Sequence, residues 1–510
     1  MKRNFFQYGL IILLGVLQAF SLASPWSDQP NAWLQVVALA GFLSTQKNNK
    51  TLKQRFLQAW LFTSSWLVAT VWWLYISIHH FGGLPVVLTL AAILLLCGGL
   101  AIYYALTVSL YFRIKESHNT YLSAGIFASC WTLAELARAE FFTGFPWGAI
   151  GYAHVDSILV MFAPWVGVYG VGWVAAYLSA CVAPNLTTLI EDKKIKIALI
   201  AIPLVAVPWL VNTSTVEESF SVSLLQGNIP QDMKYTKLRE QAVAWYIEKA
   251  VQAETDLVVM PETAIPYLQQ DIPNDGWQKI STHFSSGKKA LILGIPTYEK
   301  DTGFGNSAIA LQANSKEHLY NKQHLVPFGE FIPKYFKWFN QMVNFGMTDF
   351  IRGPLKPEPF VWNGHKIAIQ ICYEDLFGEE LAQRFTVQQE SIPTLLVNMS
   401  NIAWFGNTVI IPQHLNIARM RSIELNRPTI RATNSGGTAI IDASGKIQAV
   451  AKPYTQTVLV GNVPVSDGRV TWFAQWAGRW GLLPMWLFCT AIVVGFMVIA
   501  SRSGSRKQSH

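Results

Sequence analysis

The sequence predicts a polytopic bundle of about eight transmembrane helices carrying one layered α/β domain. Hydrophobic residues make up 51% of the 510 positions and charged residues only 14%, against roughly 25% charged in a soluble globular chain. Apolar stretches near 5–23, 30–46, 57–79, 84–112, 119–137, 157–190, 195–212 and 480–500 match or approach the roughly 20 residues that cross a bilayer. Between the last two stretches the pattern changes to short β-rich runs separated by helical ones.

The charge distribution orients the bundle. Lys and Arg gather in short runs between apolar stretches: Lys2-Arg3, Lys47 to Arg55, Arg113 to Lys115, Lys193 to Lys196 and Arg502 to Lys507. With Lys2-Arg3 in the cytoplasm, eight crossings put every run on the cytoplasmic side, as cytoplasmic loops require; seven would strand the last run outside. The net charge of +8 therefore reports topology and excludes a nucleic-acid surface, which needs a basic stripe on one face. The first stretch exceeds the 7–15-residue core of a signal peptide, which favours a retained helix. The 20 Trp suit a membrane–water interface. Cys97, Cys130, Cys181 and Cys489 fall in apolar spans; Cys372 alone lies outside them, so a disulfide framework there is excluded and no CxxC metal pattern exists.

Residues 1–212 are thus read as an N-terminal bundle of about seven helices, 213–479 as a domain on the outer side, and 480–510 as a last helix with a cytoplasmic tail. Strands are expected at 220–226, 256–260, 290–296, 306–312, 366–372, 394–399 and 457–463, and helices at 236–253, 274–285 and 410–426. Continuous apolar runs such as Leu257-Val258-Val259-Met260 suit strands buried on both faces, and their alternation with helices indicates an α/β layer structure. No internal repeat is visible.

Three motifs end strands in this domain: Met260-Pro261-Glu262-Thr263, Tyr320-Asn321-Lys322 with His324-Leu325-Val326-Pro327-Phe328-Gly329-Glu330 following, and Ile371-Cys372-Tyr373-Glu374-Asp375. Each has an ordinary reading alone: a packing cysteine, a solvated turn Glu, a surface Lys. Together, at strand ends where side chains from distant segments converge, they compose a covalent-catalysis site. A thiol with a pKa near 8.5 needs a base or a neighbouring cation to act at neutral pH. Glu262 can take its proton, and Lys322 can stabilise the thiolate and the oxyanion formed on attack at a carbonyl.

The order Glu, Lys, Cys in these contexts resembles the carbon–nitrogen hydrolase (nitrilase) superfamily. With the helical bundle, and with His324 to Phe331 and Ala403-Trp404-Phe405-Gly406, the whole chain resembles the apolipoprotein N-acyltransferase family. Leu225-Gln226-Gly227-Asn228-Ile229-Pro230, Arg419-Met420-Arg421 and Asn434-Ser435-Gly436 match further. The resemblance implies an αββα sandwich, the triad Glu262, Lys322 and Cys372, and supporting roles for Glu330 beside Lys322 or the substrate amine and for Tyr373 and Glu374 beside the thiol. It implies transfer of an acyl chain from a phospholipid, phosphatidylethanolamine, through a Cys372 thioester to the α-amino group of a diacylglyceryl-apolipoprotein. It also implies a monomer in the bacterial inner membrane with its catalytic domain in the periplasm, no cofactor, no metal and no nucleic-acid partner.

Tyr235 stands where the family often has Trp, so an aromatic surface survives without the indole. The aromatic segment after Glu330 (Phe331, Ile332, Tyr335, Phe336, Trp338, Phe339, Met342, Phe345, Met347, Phe350) is either a lid dipping into the bilayer surface or ordinary core. Trp147, in Phe145-Pro146-Trp147, reads as an interfacial anchor or a lipid-entrance residue, and Glu135, Arg138 and Glu140 as an interfacial ion-pair group. A membrane-anchored amidase or a non-enzymatic receptor with a degenerate domain are the rivals; the elaborate bundle disfavours the first and the complete triad the second.

Overall fold

The computed structural model describes residues 2–46, 50–114, 119–185, 219–231, 239–301, 303–334, 337, 349–386, 391–465 and 468–507. The expected crossing at 195–212, the Lys193 to Lys196 run, Tyr235 and most of the aromatic segment after Tyr335 lie outside them. The chain forms two compact units, Met1–Thr213 with Leu482–His510, and Ser214–Gly481.

The first unit is helical: α1 (Lys2–Phe20), α2 (Ala32–Thr45), α3 (Leu52–Val71), α4 (Val86–Ile114), α5 (Thr120–Glu140), α6 (Ala163–Val182) and the final helix Leu483–Lys507. On α4 the inward residues Ile93, Cys97, Ala101, Tyr104, Val108 and Tyr111 recur every third or fourth position, one helical stripe. Off that stripe Val87, Leu94, Leu95 and Leu106 are apolar and exposed, a surface unlike that of a water-soluble domain. The core is aromatic, with Phe42 stacked on Phe62 at 4.4 Å and Trp66 on Trp131 at 5.7 Å.

Among the described residues two helices, Val86–Ile114 and Ile158–Val182, are long and apolar enough to cross a membrane, and Trp472–Trp480 with Leu483–Ile499 qualifies as a third only as a bent pair. Phe5–Phe20 and Ala32–Thr45 are apolar but shorter than a crossing, and α3 opens on Lys53, Gln54 and Arg55.

The expected interfacial groups sit elsewhere. Glu135 and Arg138 are fully buried. Arg138 donates to the Tyr104 hydroxyl at 3.0 Å and to the carbonyls of Phe145 and Trp147 at 2.9 and 2.6 Å, and Glu135 accepts the Ile150 N–H at 2.9 Å. The segment after α5 folds back as irregular backbone, and its polar groups need partners where water is scarce; these two side chains supply them. Trp147 is buried against Trp73, 5.0 Å between ring centroids, so it is not a surface anchor. Glu140 is exposed and accepts the Trp486 indole N–H.

The second unit is a four-layer sandwich. One six-stranded sheet has the order β12-β1-β2-β3-β4-β5 and the other β11-β10-β9-β8-β7-β6, with β1 (Ser219–Gln226), β2 (Leu257–Val259), β3 (Ala290–Glu299), β4 (Gly303–Gln312), β5 (His318–Asn321), β6 (Phe360–Trp362), β7 (His365–Ile371), β8 (Leu395–Ser400), β9 (Thr429–Thr433), β10 (Ala439–Ile441), β11 (Ile447–Val450) and β12 (Thr457–Pro464). The pairings repeat. β1, β2 and β3 run parallel, as do β7, β8 and β9, and every other neighbour in both sheets is antiparallel.

The period of two along each strand explains the continuous apolar runs. Leu257, Val259, Ala290 and Ile292 face the second sheet, meeting Ile369, Ile371, Val397, Met399 and Ile430. The alternate residues Val258, Met260, Leu291 and Leu293 face α7 (Arg239–Gln252) and α8 (Gly276–Phe284) through Val243, Tyr246, Ile280 and Phe284. The outer face of the second sheet is covered by α9 (Gly378–Ala382), α10 (Ile410–Leu425) and α11 (Trp472–Trp480), with Leu381, Leu425, Phe473 and Ala477 against Ala368 and Leu396. The final helix is α12.

Ile292→Ala, which empties a fully buried site between the sheets, is expected to cost about 2–5 kcal/mol, read as lowered thermal stability of the detergent-solubilised protein.

Candidate active site

Strand ends deliver the predicted triad to one place. Glu262 follows β2 and opens a turn in which Thr263 has φ 48°. That turn presses on β3 at Gly294, where a Cβ would lie 2.4 Å from the Pro261 carbonyl oxygen and 2.8 Å from the Glu262 Cα, so only glycine lets the carboxylate approach. Lys322 follows β5, its N–H bound to the Asn306 carbonyl at 2.9 Å. Cys372 follows β7 and opens a 3-10 turn with φ 52°, a left-handed backbone rare for a non-glycine residue and typical of functional positions.

Lys322 is almost wholly buried between two carboxylates, 2.9 Å from Glu330 Oε1 and 3.4 Å from Glu262 Oε1. Burial works against its charge, but Glu330, Glu262 and Cys372 outweigh burial and hold its pKa above the ordinary lysine value. Asn306 on β4 donates from one amide nitrogen to both carboxylates, at 2.7 Å to Glu262 and 2.6 Å to Glu330. The Asn401 N–H donates to the second Glu262 oxygen at 2.9 Å, and the Val326 N–H to the second Glu330 oxygen at 2.8 Å. Glu330 therefore sits on Lys322 itself.

Cys372 is half-buried. Burial, then Glu262 and Glu330, push its thiol above the ordinary cysteine value against the pull of Lys322 and of the Asn401 backbone hydrogen bond. Two carboxylates around one ammonium leave excess negative charge beside the sulfur, which favours the thiol over the thiolate at rest.

Glu374, expected beside the thiol, is occupied by hydrogen bonds to the chain around it. It is buried and takes the Tyr320 hydroxyl at 2.7 Å, and the Gln323, His324 and Ile371 N–H groups at 2.7, 3.2 and 2.6 Å. It ties the Cys372 turn to the Lys322 loop, because those buried N–H groups have no strand to pair with. The next residue, Asp375, points the other way and pairs with buried Arg431; burial lifts its carboxyl to about 6 against Arg431 and Arg421. Tyr373 is buried, its ring 5.7 Å from His324 and 5.3 Å from Phe377. Trp404, in the turn just after Asn401, is 38% exposed. Trp147 lies in the other unit.

Sequence reasoning missed Asn306, and gave no role to Asn401 or Asn434, which fall in stretches that match the family. Asn434 holds the 225–230 motif, accepting the Ile229 N–H at 3.0 Å, and also bonds Asn401 at 3.2 Å, which explains why those distant motifs accompany one another. Among the described residues no group of three His, Cys, Asp or Glu could hold a metal.

Comparison with known proteins places this geometry. Residues 14–181 match the model of the apolipoprotein N-acyltransferase N-terminal domain, and residues 221–471 that of carbon-nitrogen hydrolase. An apolipoprotein N-acyltransferase of Verminephrobacter eiseniae is 41% identical over 497 residues, covering 92% of each chain. The chain belongs to the apolipoprotein N-acyltransferase family. Other members of this family include one from Ralstonia nicotianae, 37% identical over 90% of this chain and 88% of that one, and one from Neisseria meningitidis serogroup A, 34% identical over 91% and 93%. Membership makes the chain an acyltransferase on a nitrilase-superfamily domain, associated with the membrane.

Asn306→Leu removes two hydrogen bonds to charged groups, about 1.5–3 kcal/mol each. Acyl transfer is expected to slow about 100-fold or more, while thermal stability changes far less; equal effects on both would assign Asn306 to folding alone.

Proposed function

We propose that this acyltransferase stores the acyl chain as a thioester on Cys372 between a phospholipid donor and the α-amino group of a diacylglyceryl-apolipoprotein. The observation that carries the reading is the buried Lys322 held between Glu262 and Glu330 beside Cys372.

In the first half-reaction the Cys372 sulfur attacks an ester carbonyl as its proton passes to Glu262. The oxyanion forms beside the Lys322 ammonium, which Asn306 and the two glutamates hold in place. The C–O bond breaks, the leaving lysophospholipid oxygen takes the proton from Glu262, and the thioester remains. In the second half-reaction the lipoprotein amine attacks, gives its proton to Glu262, and the C–S bond breaks as the sulfur regains a proton. This is ping-pong chemistry. A thioester lies uphill of an amide, so the sequence needs no ATP and no cofactor. The donor is phosphatidylethanolamine, as the sequence resemblance implies.

The organisation that suits this chemistry is a bundle over 1–212, a catalytic domain over 213–479 and a last helix with its tail over 480–510. Eight crossings of the bacterial inner membrane then place the domain in the periplasm as a monomer. Tyr373 and Trp404 are proposed to bound the acyl path, and Trp147 to support the segment after α5.

Cys372→Ala is expected to abolish transfer, and the wild-type enzyme incubated with phospholipid to carry a hydroxylamine-sensitive acyl group on Cys372 by mass spectrometry. Full turnover by the alanine variant would refute the thioester. Glu262→Gln is expected to lower acylation at neutral pH about 10²–10⁴-fold. Because the thiol pKa is raised, the residual rate of that variant should climb with pH as thiolate accumulates; a flat profile would remove Glu262 as the base.

A further inference from the structure

We infer that one face of α11 lies in the head-group layer of the bilayer and seats the catalytic domain on the membrane; the occupant of that face is lipid. This rests on the proposal that Leu483–Ile499 crosses the membrane.

α11 has the sequence WFAQWAGRW. Its apolar small side, Phe473, Ala474, Ala477 and Gly478, is buried against Leu381, Ala382 and Phe385. The approach is close: a Cβ on Gly478 would lie 2.3 Å from the Ala382 carbonyl oxygen. The helix is therefore fixed to the outer layer of the sandwich. Trp472, Trp476 and Trp480 follow one another at intervals of four, one stripe of a helix; Trp476 is half-buried, its ring 5.3 Å from Phe473 on the domain core, and the two ends of the stripe are open. Trp472 is 60% and Trp480 57% exposed, with Gln475 and Arg479 exposed beside them. The helix carries no acid. A protein exposing two large indoles on one short helix has an unusual surface for water, whereas indoles flanked by a cation and an amide suit the membrane–water interface.

Chain connection names the occupant. Only Gly481 and Leu482 separate Trp480 from Leu483, and a three-residue step spans at most about 11 Å. If Leu483 begins a crossing, Trp480 has no room to leave the head-group layer. Gly481, at φ 57°, ends α11 with a left-handed turn, and so separates a helix that serves the domain from one that serves the membrane. α11 is then a mount whose dry side grips the enzyme and whose indole side grips lipid, setting the height of the domain above the leaflet.

The test uses the full chain in phosphatidylethanolamine–phosphatidylglycerol vesicles, with the photoreactive residue p-benzoylphenylalanine placed singly at Trp472 or Trp480, at Leu487 on α12 (61% exposed), and at Val460 on β12 (60% exposed). The expected result is lipid adducts by mass spectrometry at 472, 480 and 487, at least five-fold above those at 460. Adducts at 487 but not at 472 and 480, or crosslinks from 472 and 480 to protein, overturn the inference and leave the crossing intact. No lipid adduct at 487 overturns the crossing itself. As a functional readout, Trp472→Ser with Trp480→Ser is expected to raise the apparent KM for vesicle phospholipid about five-fold or more, with kcat within two-fold; an unchanged KM also overturns the inference.

Discussion

The site depends on one buried ammonium kept charged. A lysine removed from water tends to lose its proton, and here Glu330 at 2.9 Å and Glu262 at 3.4 Å prevent that. The same arrangement creates a problem, since two carboxylates so close to each other repel. Asn306 resolves it by placing amide hydrogens on both, and the Asn401 and Val326 N–H groups take the outer oxygens. Every other feature of the site follows from keeping these charges apart yet near the thiol: the glycine at 294, the short β2, and the loop that doubles back at Glu330.

Much of the second unit was legible in the sequence because its strands are long, apolar and bounded. The seven expected strands all occur, with ends shifted by a few residues. β5, β6, β9, β10 and β11 were missed for a physical reason. His318–Asn321 and Phe360–Trp362 are too short to show a period, and Thr429–Thr433 contains Arg431, which reads as a surface residue until its buried partner Asp375 is known. α11 was missed because its apolar and exposed aromatic residues look alike in a sequence; only packing tells Phe473 from Trp472. Glu262 and Cys372 were legible as candidates because each follows a recognisable strand, and Lys322 because of the motif around it, its own strand being too short to read. The roles of the three asparagines were not, since an amide that organises charges has the same letter as one that caps a turn.

The bundle was less legible. Hydropathy marks apolar length but not what a polar residue inside it touches. Arg138 and Glu135 are buried at full depth because backbone carbonyls and N–H groups of the returning segment meet them there, a contact made by residues seven to fifteen positions away. Hydropathy counted those residues as a polar end; the structure uses them as internal fastenings.

Glu262 and Lys322 follow strands of the first sheet, while Cys372 follows one of the second, past the middle of the domain. The first strand, moreover, pairs with the last, Ser219 opposite Pro464. Glu262, Lys322 and Cys372 therefore meet only once both sheets have formed and packed face to face, so the site exists nowhere in either half of the domain alone.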